Sequence, residues 1–316
     1  MRAFSPLHKV SAMTVRIGIN PITWSNDDMP ELGGDTPLET CLAEAKQAGY
    51  AGLELGNKFP RDAAALAPIM GAHGLAVVSG WYSARLVERD AETEIVAMRP
   101  HLDLLRAMGC AVMVFAETTG SVAGDRGMPV TNRPALSETQ WPIFLERLDA
   151  VARHLRQAGM QMAFHHHMGT MIETAAEVDR MMAGTSEAVG LLLDTGHFTF
   201  AGDDPLAVLD RHAARVVHVH CKDVRMDVLR AVKGAKASFM DSVLAGVFTV
   251  PGDGSVAYAP ILGRLATAGY GAGAETRWLV VEAEQDPAKA HPLTYATMGY
   301  RNLARLAGAA GLRLEA

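Results

Sequence analysis

Eight short apolar runs, each followed by a longer stretch with helical spacing, set the architecture this chain can adopt. The runs fall at residues 15–20, 52–56, 75–80, 111–117, 161–166, 189–194, 215–220 and 278–283. Most are continuously apolar rather than alternating, the pattern of parallel strands covered by helices outside and packed inside. The intervals carry helix punctuation. Thr36-Pro37-Leu38-Glu39 spells an N-cap, a first-turn proline and a glutamate three positions after the cap, and Ser137 to Gln140 and Thr174 to Glu177 repeat that spacing. Gly49, Gly74, Gly109, Gly159 and Gly269 follow alanine-rich helical stretches, where a left-handed residue ends a helix cheaply. An open doubly wound sheet would need only five or six strands and a glycine-rich nucleotide loop after the first, and no such loop follows Gly18. Eight βα units in 316 residues predict one closed (β/α)8 barrel domain over residues 14–316, preceded by a loosely ordered tail over residues 1–13. The interval 222–277 is unusually long. It predicts a helix over residues 226–245 and a lid at the turn Pro251-Gly252-Asp253-Gly254.

Composition narrows the function. The formal net charge is −6, and no basic stripe argues for a nucleic-acid partner. No apolar stretch of about 18 residues suggests a membrane span, and residues 1–13 lack the apolar core of a secretion signal. Cys41, Cys110 and Cys221 are too few and too scattered for a disulfide framework, which predicts a reducing, cytoplasmic location.

Active sites of such barrels form at the C-terminal ends of the strands. There the chain reads Asn20-Pro21-Ile22-Thr23-Trp24, Glu54-Leu55-Gly56-Asn57-Lys58, Ser79-Gly80-Trp81 and Glu117-Thr118-Thr119. The later strands end in His165-His166-His167, Asp194-Thr195-Gly196-His197, His218-Val219-His220-Cys221-Lys222-Asp223 and Glu282-Ala283-Glu284. Carboxylates and imidazoles from four adjacent strands thus meet on one rim, a donor set for a divalent metal. Strand alternation puts His165 and His167 on one face, His166 on the other, and His218 with His220. A single histidine at a strand end is ordinarily a hydrogen-bonded core residue, and Asp194 alone would read as a helix N-cap. Three consecutive histidines in an apolar strand, joined by Asp194 and Glu282 at the ends of two others, fit that plain reading poorly. Lys58 and Lys222 read equally well as solvated or substrate-facing. Trp24 and Trp81 are packing residues or platforms for a sugar-like ring.

The segments Gly18 to Asp28, Glu54 to Pro60, His165 to Thr170, Leu193 to His197, His218 to Asp223, Gly246 to Gly254 and Val281 to Pro287 carry a resemblance. Over about residues 15–312 the chain resembles the xylose isomerase-like TIM-barrel superfamily, and within it the inosose dehydratases of inositol catabolism. The resemblance implies loss of water from scyllo-inosose (2-keto-myo-inositol) to a trihydroxycyclohexanedione, with a divalent ion, manganese or cobalt. Asp194, His220 and Glu282 match three of the superfamily's four ligand positions. The first position, a glutamate in sugar epimerases, is His165 here, with His167 as the alternative on the same face. Candidate acid–base groups are Glu282, His197, Glu54 and Lys222, and candidate substrate contacts are Asn20, Trp24, Asn57, Lys58 and His167. The expected partners are a small polyol ketone and further copies of the chain, with neither nucleic acid nor membrane. A sugar isomerase or epimerase, which returns the proton it removes, and a non-catalytic carbohydrate-binding barrel are the competing readings.

Overall fold

The structure, a computed structural model, describes residues 13–272 and 277–315. The expected tail at residues 1–12 lies outside the described residues. Strands β1 (Thr14–Ile19), β2 (Gly52–Leu55), β3 (Ala76–Ala84), β4 (Val112–Glu117), β5 (Gln161–Phe164), β6 (Val189–Asp194) and β7 (Val216–Cys221) run parallel in chain order. A small antiparallel pair, β8 (Asp223–Val224) and β9 (Phe248–Thr249), follows outside this sheet. Strand β10 (Arg277–Val281) then inserts between β7 and β1, with Val15 opposite Arg277 and Ile19 opposite Val281. This closes a (β/α)8 TIM barrel. A two-residue strand, β11 (Arg313–Leu314), pairs with the start of β1. All eight expected barrel strands are present, with ends shifted by a few residues.

The helices are α1 (Leu38–Ala48), α2 (Ala63–Ala72), α3 (Ala91–Ala107), α4 (Gln140–Gln157), α5 (Ala175–Ala183), α6 (Thr195–Ala201), α7 (Pro205–His212), α8 (Met226–Gly234), α9 (Phe239–Leu244), α10 (Tyr258–Thr267) and α11 (Pro292–Ala309). Thr174 and Glu177 form the expected capping box at α5, each bonding the other's backbone. At α1 it does not form. Pro37 takes the cap position and no side chain caps the helix.

Apolar side chains from the outer faces of the strands and the inner faces of the helices make the main core. A second set fills the barrel itself: Val112, Val114, Ala163, Leu192 and Val217 on one side, Ala51, Val78, Trp278 and Val280 on the other. The indole of Trp278 fits there because Gly18 and Gly52 leave room. A Cβ on Gly52 would meet Val78 at 2.9 Å and Trp278 at 3.1 Å. This apolar plug confines polar chemistry to the C-terminal end.

Two expectations for the long β7–β10 interval change. The single helix over 226–245 is two helices, α8 and α9. Lys236 adopts a left-handed φ of 51° between them, and the Ser238 side chain caps α9 by accepting from the Asp241 N–H. The turn expected as a lid is tied down. The Asp223 carboxylate accepts the backbone N–H groups of Gly252, Gly254 and Val256 at 2.8–3.2 Å, and Arg225 pairs with Asp253. Asp223 lies nearly 30 residues before the turn, so no local signal announces the tether.

Candidate metal centre and cavity

Alternation along β5, β6, β7 and β10 turns His165, Asp194, His220 and Glu282 toward a common point. One ligand atom from each lies within 4.8 Å of all the others, and all four residues are buried. Asp194 Oδ1 caps α6 by accepting the His197 N–H at 2.8 Å, so the plain N-cap reading is also true. Its Oδ2 has no hydrogen-bond partner, and lies 3.5 Å from both His165 Nε2 and His220 Nδ1. Glu282 Oε2, 3.2 Å from His220 Nδ1, and His220 Nδ1 itself are buried without hydrogen bonds too. Buried polar atoms left without a hydrogen bond are costly and rare. Three aimed at one point fit a divalent cation.

The ring tautomers agree with this. His165 Nδ1 faces the backbone carbonyl of His166, which leaves Nε2 with its lone pair toward Asp194. His220 Nε2 faces the Glu54 carboxylate at 3.2 Å, leaving Nδ1 for a cation. Glu54 also takes the His218 ring at 2.9 Å and the Asn20 amide at 2.9 Å. Burial opposes its ionisation, but His220 and His218 outweigh burial and hold Glu54 well below the usual carboxylate range. Burial likewise disfavours charge on His220, yet Glu54 and Glu282 raise it well above the ordinary imidazole value. A cation at Nδ1 would take that proton's place.

A second polar group adjoins the first. His167, His197 and Glu284 bring ligand atoms within 4.8 Å of one another. Lys222, fully buried, donates to Glu284 Oε2 at 2.7 Å, meets His197 Nε2 at 2.9 Å and pairs with Glu282 Oε2 at 3.1 Å. Burial pushes the Glu284 carboxyl up to about 7 against the pull of Lys222. Burial, reinforced by Lys222, holds His197 well below the imidazole range, so it is neutral and accepts from the ammonium.

Above these groups opens a cavity of about 400 Å³ whose lining includes Asn20, Asn57, Trp81, His167, Glu282 and Glu284. Trp81 is 39% exposed, packs edge-on against His165 and His167, and has its indole N–H held by Ser83 at 2.8 Å. The geometry therefore gathers His165, Asp194, His220 and Glu282, and puts His167 with the neighbouring group. Glu54, His197 and Lys222 lie behind the cavity wall. Trp24 and Lys58 fall elsewhere. The Trp24 ring is buried with its N–H on Glu44 at 2.6 Å, and the Lys58 ammonium donates to the carbonyls of Gly33, Gly34 and Thr36. Trp81, expected as a packing residue or a ring platform, lines the cavity, whereas Glu284 and His218 were not among the expected site residues. Glu284 and His218 stand two positions from Glu282 and His220, so strand alternation was the signal that could have found them.

Comparison with known proteins agrees with the barrel fold. The family model described as xylose isomerase-like TIM barrel matches residues 42–304. The rhizopine catabolism protein MocC of Rhizobium meliloti is 54% identical over 98% of this chain and 94% of its own length. The inosose dehydratase of Geobacillus thermodenitrificans is 44% identical over 89% of this chain and 94% of its own. Among solved structures, an L-ribulose 3-epimerase superposes with a TM-score of 0.65 at 17% identity, covering 94% of this chain and 96% of that one. The IOLI protein with a bound zinc atom also gives 0.65, at 14% identity, covering 93% of this chain and 99% of that one. At such identities the two structures attest the fold alone.

Proposed function

The chain belongs to the xylose isomerase-like TIM-barrel family, and within it we propose that it removes water from an inosose, a cyclic polyhydroxylated ketone of inositol catabolism. One conjunction carries the reading: orphaned ligand atoms lie under a polar cavity, in a chain 44% identical to a named inosose dehydratase. The substrate is scyllo-inosose and the product a trihydroxycyclohexanedione, which makes the enzyme a hydro-lyase.

Dehydration beside a ketone takes a proton from the carbon next to the carbonyl and expels hydroxide from the carbon beyond it. A carbon–carbon double bond forms, proton and hydroxide leave as one water, and the resulting enol tautomerises to the second ketone of the dione. His165, Asp194, His220 and Glu282 would hold a divalent ion, manganese or cobalt. When bound, that ion supplies Lewis acidity for the negative charge that develops at the ketone. Glu284 lines the cavity and carries the proton. With a carboxyl that burial pushes up, it accepts the C–H proton and returns it to the departing hydroxyl. His167 Nδ1 is engaged by the Met168 carbonyl at 2.8 Å, so its Nε2 accepts a substrate hydroxyl. Asn20 and Asn57 border the space for the other hydroxyls, and the Trp81 indole backs the ring. His197 and Lys222 touch Asp194, Glu282 and Glu284 rather than the cavity, so they position these carboxylates.

Cytoplasmic location and assembly as a homo-oligomer complete the reading. The three cysteines, all buried and free, suit a reducing compartment, and light scattering of the purified protein tests the assembly. Among the described residues no helix is long and apolar enough to cross a membrane. A second reading is favoured by the 54% identity to a rhizopine catabolism protein, namely that the same site serves rhizopine breakdown. Growth of a deletion strain on inositol or on rhizopine separates the two. For the reaction itself, NMR of scyllo-inosose incubated with the enzyme should show the dione. A new epimer with deuterium taken from solvent would instead make the enzyme an isomerase.

A further inference from the structure

The Lys222 side chain is built into the protein more deeply than a surface ion pair requires. Its stem runs against Gly196, where a Cβ would come within 2.4 Å of the lysine Cγ, and its ammonium sits 4.6 Å from the centre of the Phe248 ring. That ammonium touches two members of the second polar group, Glu284 and His197, and the third, His167, has its ring centre 4.3 Å from that of His197. Glu282 Oε2 faces both ways, 3.2 Å from His220 Nδ1 in the four-residue set and 3.1 Å from Lys222 Nζ. A carboxylate shared between two neighbouring cation positions, each completed by imidazole and carboxylate, is the layout of a two-metal centre. Here one of the two positions holds an amine.

We propose that the Lys222 ammonium occupies a latent second metal position, formed by His167, His197 and Glu284 with Glu282 as the bridge, and so restricts the enzyme to one divalent ion. The inference rests on the metal reading above. Charge supports it. Loss of the ammonium would leave the buried carboxylates of Glu282 and Glu284 without their shared cation, beside the imidazoles of His167 and His197. Chemistry gives the arrangement a purpose. An ion in the second position would take Glu284 as a ligand, while an ammonium hydrogen-bonds the same carboxylate and leaves it able to carry a proton.

The test is manganese stoichiometry by elemental analysis, together with electron paramagnetic resonance. The wild-type protein should bind one ion per chain with the spectrum of an isolated centre. Lys222→Met should bind two, with a spin-coupled spectrum, and Lys222→Met combined with His197→Ala should return to one. Lys222→Arg, which keeps the charge, should remain at one. Lys222→Gln serves in place of the methionine variant if that one does not fold. Two ions in the wild-type protein, or one ion in folded Lys222→Met or Lys222→Gln, would overturn the proposal. A wild-type chain that takes up no ion removes the metal reading itself and this inference with it, an outcome distinct from one ion throughout.

Discussion

His220 has two ring nitrogens, and its neighbours divide them: Glu54 holds one, while Asp194 and Glu282 face the other. The ligand atoms and the groups that aim them therefore make separable predictions. Asp194→Ala and Glu282→Ala should lose bound metal and turnover together, measured by elemental analysis and rate; either variant with full metal and full rate would contradict the assignment. Glu54→Gln keeps the shape but weakens the grip on His220, and should reduce metal affinity by about 10–100-fold in a chelator competition. Glu284→Gln should keep the metal yet lower kcat by about 100-fold or more, the usual loss when a general acid–base group is removed. If metal and KM are unchanged and kcat stays within twofold of wild type, the proton is carried elsewhere. At this scale strand periodicity was the informative signal. It put His165, Asp194, His220 and Glu282 on one rim, and the same two-residue step would have reached Glu284. Trp24 and Lys58 escaped it because they lie beyond the strand ends, where a short turn buries one and the carbonyls of residues 33–36 capture the other.

Elements divide in the same way between local and distant control. The barrel strands were legible because burial on both faces leaves an apolar signature within each run. The Thr174 box was legible because both its partners lie within four residues. The break between α8 and α9 turns on one left-handed lysine, a conformation that composition does not reveal. The Pro251-to-Gly254 turn depends on Asp223, which collects three N–H groups from it. Removing that carboxylate leaves those donors without their partner. Asp223→Ala should destabilise the fold by about 2 kcal/mol or more, and should open residues 251–254 to limited proteolysis. Unchanged melting and unchanged cleavage would restore the turn as a free lid.

For the whole molecule, the apolar plug around Trp278 and the polar rim above it separate stability from chemistry along the barrel axis. The three unpartnered polar atoms cross that division, because a cation that satisfies them binds only the folded state. Manganese or cobalt at about 100 times its dissociation constant should add about 2.7 kcal/mol to stability. The expected observation is a melting temperature several degrees above that of the chelator-stripped protein. An unaltered melting point would mean that no ion binds the folded state preferentially, against a site at the four residues. The account stands most directly on turnover of scyllo-inosose by chelator-stripped protein before and after manganese or cobalt is restored, followed by the ultraviolet absorbance of the dione. It predicts almost no absorbance without metal and steady dione formation once metal is added. Dione formation at the same rate in the stripped protein, or none after metal is restored, would contradict it.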